Sequence, residues 1–148
     1  MNAQTAAAAP QPLATPDSTP MIGVLRALLL GEAALGLAAA VLLSLVAVAL
    51  RDSLGGDVGR STEESVRFAA GGAFLFAIGA AIASRGARRR RSWGWTLAAV
   101  LQLVLAIGTG IAIMVADWHP AYLIGFGLAA VVMIVLSIDA VRRALGQQ

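Results

Sequence analysis

Cysteine is missing from this 148-residue chain, and so is lysine. Without cysteine, thiol–disulfide chemistry, haem–thiolate ligation and Cys-based metal sites are excluded. Charge of either sign is scarce. Only 13% of residues are charged while 59% are hydrophobic, against about a quarter charged in an ordinary soluble domain. A chain of this balance expects lipid as its solvent. Histidine occurs once, at His119. Beside Asp117, and with no second cluster of ligands, it makes a poor metal site and reads as a water-facing turn residue. All of the basic charge is arginine, eleven residues in an Ala/Gly-rich background. That bias suggests a GC-rich bacterial genome. The basic excess does not predict a nucleic-acid partner, because the arginines gather at the ends of apolar runs, where positive charge marks membrane orientation.

The chain divides around Arg85, Arg88, Arg89, Arg90 and Arg91, which lie within eight residues and have a long apolar segment on either side. Residues 1–20 carry four prolines and one charge, Asp17, and are expected to form a disordered tail without the basic n-region and apolar h-region of a signal peptide. Four uncharged runs follow. Ala33 to Leu50 is 18 residues, about 27 Å as a helix against a hydrocarbon core of about 30 Å. Phe68 to Ser84 is 17 and Ser92 to Ala116 is 25, and the last run continues to Ile138. Helices are therefore expected over about residues 23–50, 62–84, 93–116 and 120–143. The stretch from Arg51 to Thr62, with Gly55, Gly56 and Gly59, reads as a long solvated loop. After it, Ser61 and Glu64 have the spacing of a capping box, and Glu63 and Arg67 form an i,i+4 pair.

Within these helices the polar and small residues are the informative ones. Glu32, Gly36, Ala40 and Ser44 recur every fourth residue and are expected to form a small packing face with a carboxylate at its end, near the inner edge of the bilayer. Gly72 and Gly79 give the second helix a small surface, and Gly125 with Ala129 does the same for the fourth. Gln102 falls near the midplane of the third, where an amide needs an interhelical hydrogen-bond partner. Trp93 and Trp95 at one end, and Trp118 and Tyr122 at the other, stand where aromatic belts belong. Asp139 lies three and four residues before Arg142 and Arg143, the spacing of a helical salt bridge.

Orientation follows from the arginines. Arg26, the five of the central stretch, Arg142 and Arg143 make eight on one side; Arg51, Arg60 and Arg67 make three on the other. The side with eight is expected to be cytoplasmic. The expected fold is all-α: a polytopic membrane protein, a four-transmembrane-helix bundle of two antiparallel hairpins. It would sit in the bacterial plasma membrane with both termini on the cytoplasmic side. Arg85, Arg88–Arg91, Arg142 and Arg143 would meet lipid headgroups.

The pattern Arg91-Ser92-Trp93-Gly94-Trp95 leading to Gln102-Leu103, then Tyr122-Leu123-Ile124-Gly125 and Arg142-Arg143-Ala144-Leu145, resembles the small four-helix integral membrane proteins of GC-rich bacteria such as the actinobacteria. That group implies no activity, catalytic residue, metal or cofactor. Two readings of function remain. The first is a non-enzymatic accessory or scaffold subunit that associates through small-residue faces, with membrane lipids and a homo-oligomer or larger membrane protein as partners. The second is a proton-coupled transporter. The chain is superficially similar to the small multidrug-resistance exporters, which have four helices and depend on a carboxylate in the first; Glu32 would be the matching residue. Its expected depth near the inner boundary, the long outer loop and the tail depart from that pattern. An enzyme is not expected, since no nucleophile with a base and no paired carboxylates stand out.

Overall fold

Charged residues between two apolar runs can end a helix or be taken up into it, and in this chain the helices run through most of them. The computed structural model describes residues 19–115 and 121–147. Five helices occur among them: α1 over Thr19–Leu54, α2 over Gly56–Arg88, α3 over Ser92–Val115, α4 over Ala121–Ser137 and α5 over Asp139–Ala144. The tail assigned to residues 1–20 falls outside the described residues except for Thr19 and Pro20, which open α1. The turn at Asp117–Pro120 lies outside them as well. At 1.5 Å per residue α1 is about 54 Å long and α2 about 50 Å, whereas α3 is about 36 Å and α4 about 26 Å.

The long loop expected over 51–62 is therefore a correction: the connection is the single residue Gly55 between Leu54 and Gly56. Gly55 and Gly56 have φ of 62° and 55°, a left-handed pair that costs glycine little and other residues more. The charges that suggested a loop hold the two helix ends together. Glu63 takes Arg67 Nη2 at 2.8 Å on one carboxylate oxygen and Arg51 Nη1, from α1, at 3.3 Å on the other. Ser61 caps nothing. Its hydroxyl and that of Thr62 donate back to Val58 O at 3.1 and 2.8 Å from inside the helix, the ordinary way such residues are accommodated there.

At the opposite end α2 runs four residues beyond the expected Ser84, so the arginine turn is only Arg89–Arg91. Arg91 N donates to Gly86 O at 3.1 Å and Arg90 N to Ala87 O at 3.0 Å, the bond pattern of a Schellman cap. Its left-handed position, where glycine is usual, is held by Arg90 at φ 51°. The backbone strain there is on the order of 1 kcal/mol. The fourth helix breaks at Ile138, whose ψ of 126° is extended. Asp139 forms no ion pair with Arg142 or Arg143; instead Arg143 Nε donates to the backbone oxygen of Asp139 at 3.3 Å. The salt bridge expected there is corrected to a side-chain–backbone bond.

α1 packs along α2, α2 against α3, α3 against α4, and α4 and α5 return to α1. α1 and α3 thus lie diagonally opposite. The core joins Leu25 and Leu29 of α1, Ala83 and Ala87 of α2, Ala98 of α3, Val132 and Leu136 of α4 and, after the break, Val141 and Leu145. Much of the outside is apolar, and two polar side chains lie inside. Leu35, Leu42, Leu45, Leu75, Ile124 and Ile134 are each at least 60% exposed, while Glu32 and Gln102 are at most 2% exposed. Water would penalise so large an apolar surface. Three helices, from Pro20, Gly56 and Ser92, are long and apolar enough to cross a membrane, and Tyr122–Ser137 is a shorter apolar helix. The all-α architecture is consistent with a membrane-embedded protein.

Candidate functional site

The buried stripe of α1 is Leu25, Leu29, Glu32, Ala40 and Ala47, none more than 6% exposed, with the half-buried Gly36 on the same face. Its spacing explains why Glu32 is inside. At about 100° per residue, positions 25 and 47 differ by only about 40° around the helix axis, so the whole stripe faces inward. A strict four-residue repeat drifts: from Glu32 to Ser44 the rotation is about 120°. Ser44 accordingly leaves the interface and bonds back to Ala40 O at 2.7 Å. On α3 the corresponding stripe is Trp95, Ala98 and Gln102, the last two fully buried.

These stripes meet across the diagonal of the bundle. Gln102 Nε2 donates to Glu32 Oε2 at 2.7 Å. Gln102 thus has the interhelical partner that an internal amide requires. Glu32 is enclosed by the bundle. The remaining oxygens, Glu32 Oε1 and Gln102 Oε1, are buried and have no hydrogen-bond partner. Both are acceptors, so the pair lacks a donor. No arginine reaches the carboxylate, and Glu32 takes part in no ion pair among the described residues.

Glycines set how closely the elements around this pair approach. A Cβ on Gly36 would stand 3.2 Å from Ala73 O and Ala77 Cβ; one on Gly79 would be 2.9 Å from Leu101 Cδ2; one on Gly125 would be 3.3 Å from Thr109 Oγ1. Gly72 is a correction. No atom lies within 4 Å of its Cβ position, and it faces outward. Gly72→Leu is therefore expected to keep or modestly raise the thermal unfolding temperature in mild detergent, since the new side chain meets nothing and leucine favours a helix over glycine; a fall of several degrees would show a contact at this position.

The closest approach is at Gly86 and Gly94, whose sequence pattern gave no expectation. A Cβ on Gly94 would meet Gly86 C at 2.7 Å and Ala87 N at 2.8 Å. The signal was present: both glycines are four residues from Arg90, so a turn centred there brings them face to face. Trp95 also does more than mark an interface. Its indole Nε1 donates to Leu136 O at 3.0 Å, beside the point where the helical ladder fails at Ile138. Arg85, Arg88, Arg89 and Arg91 are exposed around the turn, as are Arg142 and Arg143 on α5.

Among the described residues no three histidine, aspartate or glutamate side chains gather as metal ligands. The fold and this pair define an all-α protein of apolar helices locked by one internal carboxylate–amide bond. Compared with known proteins, the chain matches no family model, no curated sequence and no solved structure.

Proposed function

We propose that the chain is a four-span protein of a bacterial plasma membrane, non-enzymatic, serving as an accessory or scaffold subunit that packs against another membrane protein. The observation that carries this reading is an open groove between α1 and α2. Leu37, Ala40, Val41, Ala70, Gly71 and Phe74 line it, with a cavity volume of about 450 Å³. In lipid, small residues flanked by large apolar ones are the surface on which a further transmembrane helix approaches closely. No Cβ contact would arise at Gly71 among the described residues. The arginine balance supports an orientation with the Arg85–Arg91 end and both termini in the cytoplasm. Co-purification of the tagged protein from its native membrane in mild detergent tests the reading. A stoichiometric larger partner, lost on Gly71→Leu without loss of thermal stability, is expected. Recovery of the protein alone, with the same result for the variant, would overturn it.

A second reading has its own observation. Glu32 is an internal carboxyl whose pair lacks a donor, and an ionisable group inside a membrane is by default a functional hypothesis. In a proton-coupled transporter Glu32 would bind a proton and a cation in turn. Loss of pH-dependent cation release in Glu32→Gln, with fold retained, is the result that would favour it over the scaffold.

A further inference from the structure

The groups that no function above absorbs are four guanidiniums gathered where α1 and α2 reach the arginine turn. Arg26 of α1 and Ser84, Arg85, Arg88 and Arg89 of α2 and its C-cap line one cleft of about 350 Å³. On α2 the arginines are at i, i+3 and i+4, the spacing that puts three side chains on one helix face. Arg26 comes from 59 residues away in sequence, so the charge is assembled by the fold. No ion pair occupies any of the four among the described residues; Glu63, which pairs with Arg51 and Arg67, is at the far end of the hairpin. Four like charges in one cleft repel one another, and an arginine fork suits phosphate oxygens in particular. One helical turn along from Arg26 and from Arg85 the exposed residues are apolar, Leu30 at 44% and Ile82 at 47%. A ligand matching both parts has an anionic phosphate head and hydrocarbon chains.

We infer that this cleft is a discrete headgroup site for an anionic phospholipid, with Arg26, Arg85, Arg88 and Arg89 as its phosphate ligands. Orientation alone requires only that arginines lie on one side of the membrane. A site requires these four and not others on that side. The inference rests on the membrane placement proposed above, and is independent of Glu32 and of any protein partner.

The test is a titration of phosphatidylglycerol into full-length protein held in phosphatidylcholine nanodiscs, with native mass spectrometry counting retained lipid. Two double variants are compared: Arg26→Gln with Arg85→Gln inside the cleft, and Arg91→Gln with Arg142→Gln outside it. Each removes the same charge from the same side, so orientation and net charge are matched. The cleft pair is expected to weaken retention about tenfold or more and the control pair less than about threefold. Equal weakening would overturn the site in favour of a diffuse attraction. Addition of millimolar inorganic phosphate or glycerol phosphate is expected not to displace the lipid; displacement would assign the cleft to a soluble phosphate ester. Failure of the wild-type protein to fractionate with membranes would refute the membrane placement itself, a result separable from either outcome in nanodiscs.

Discussion

Gln102→Leu is expected to destabilise the protein by about 1–3 kcal/mol, read as a fall in unfolding free energy in detergent. The substitution keeps the volume and apolar character of an interior helix position, so by size alone it should be mild. Its effect lies with the group left behind. Glu32 would lose its one donor, at 2.7 Å, and stand in the bundle as an unpaired carboxyl, and leaving a buried polar group without its partner costs about 1–3 kcal/mol. Glu32→Gln has the opposite logic: the amide still accepts from Gln102 Nε2 and also brings the donor that two buried oxygens lack. That variant is expected to be as stable as the wild type or more so. In the double variant Glu32→Leu with Gln102→Leu neither polar group remains, and most of the lost stability should return. If Gln102→Leu and the double variant unfold at the same point, the pair does not hold α1 to α3.

Gly94→Ala is the second large effect, and one added methyl group is enough. Alanine favours a helix over glycine by about 1 kcal/mol, so at an open helical position the change should stabilise. At Gly94 the new Cβ would stand 2.7–2.9 Å from three backbone atoms of Gly86 and Ala87. Backbone cannot rotate out of the way as the end of a side chain can. Helices α2 and α3 would have to separate beside the arginine turn, and overpacking of this kind costs about 1–3 kcal/mol, occasionally more. Separation would also strain the Trp95–Leu136 hydrogen bond that ties α3 to α4. A stability equal to that of Gly72→Leu would contradict the close approach.

The helical class, the apolar outer surface and the two polar residues of the interior were legible because each rests on composition or on a single periodicity. Glu32 and Gln102 could each be marked as needing a partner. That they are partners was not legible, because pairing across a diagonal depends on which helices face each other, and no local pattern encodes it. The hairpin top was misread for a different reason. Glycine and charge together suggest a loop, yet Gly55 and Gly56 use their left-handed freedom to turn the chain within one residue, and Arg51, Glu63 and Arg67 close an ion-pair cluster across two helices. The error over Gly72 came from treating every small residue as an interface. Glycine states only that a neighbour could come near, and the direction of the face decides whether one does.

The account depends above all on four crossings, and α4, with 17 residues, is the shortest of the four helices. The absence of cysteine allows the most direct measurement: single cysteines at Asp57→Cys, Arg91→Cys and Gln147→Cys, labelled with a membrane-impermeant maleimide in intact and in permeabilised cells. Four spans predict that position 57 reacts in intact cells and that positions 91 and 147 react only after permeabilisation. Labelling of position 147 in intact cells while 91 stays protected would mean that α4 does not cross. The topology, and the cytoplasmic placement of the C-terminal arginines with it, would then be wrong.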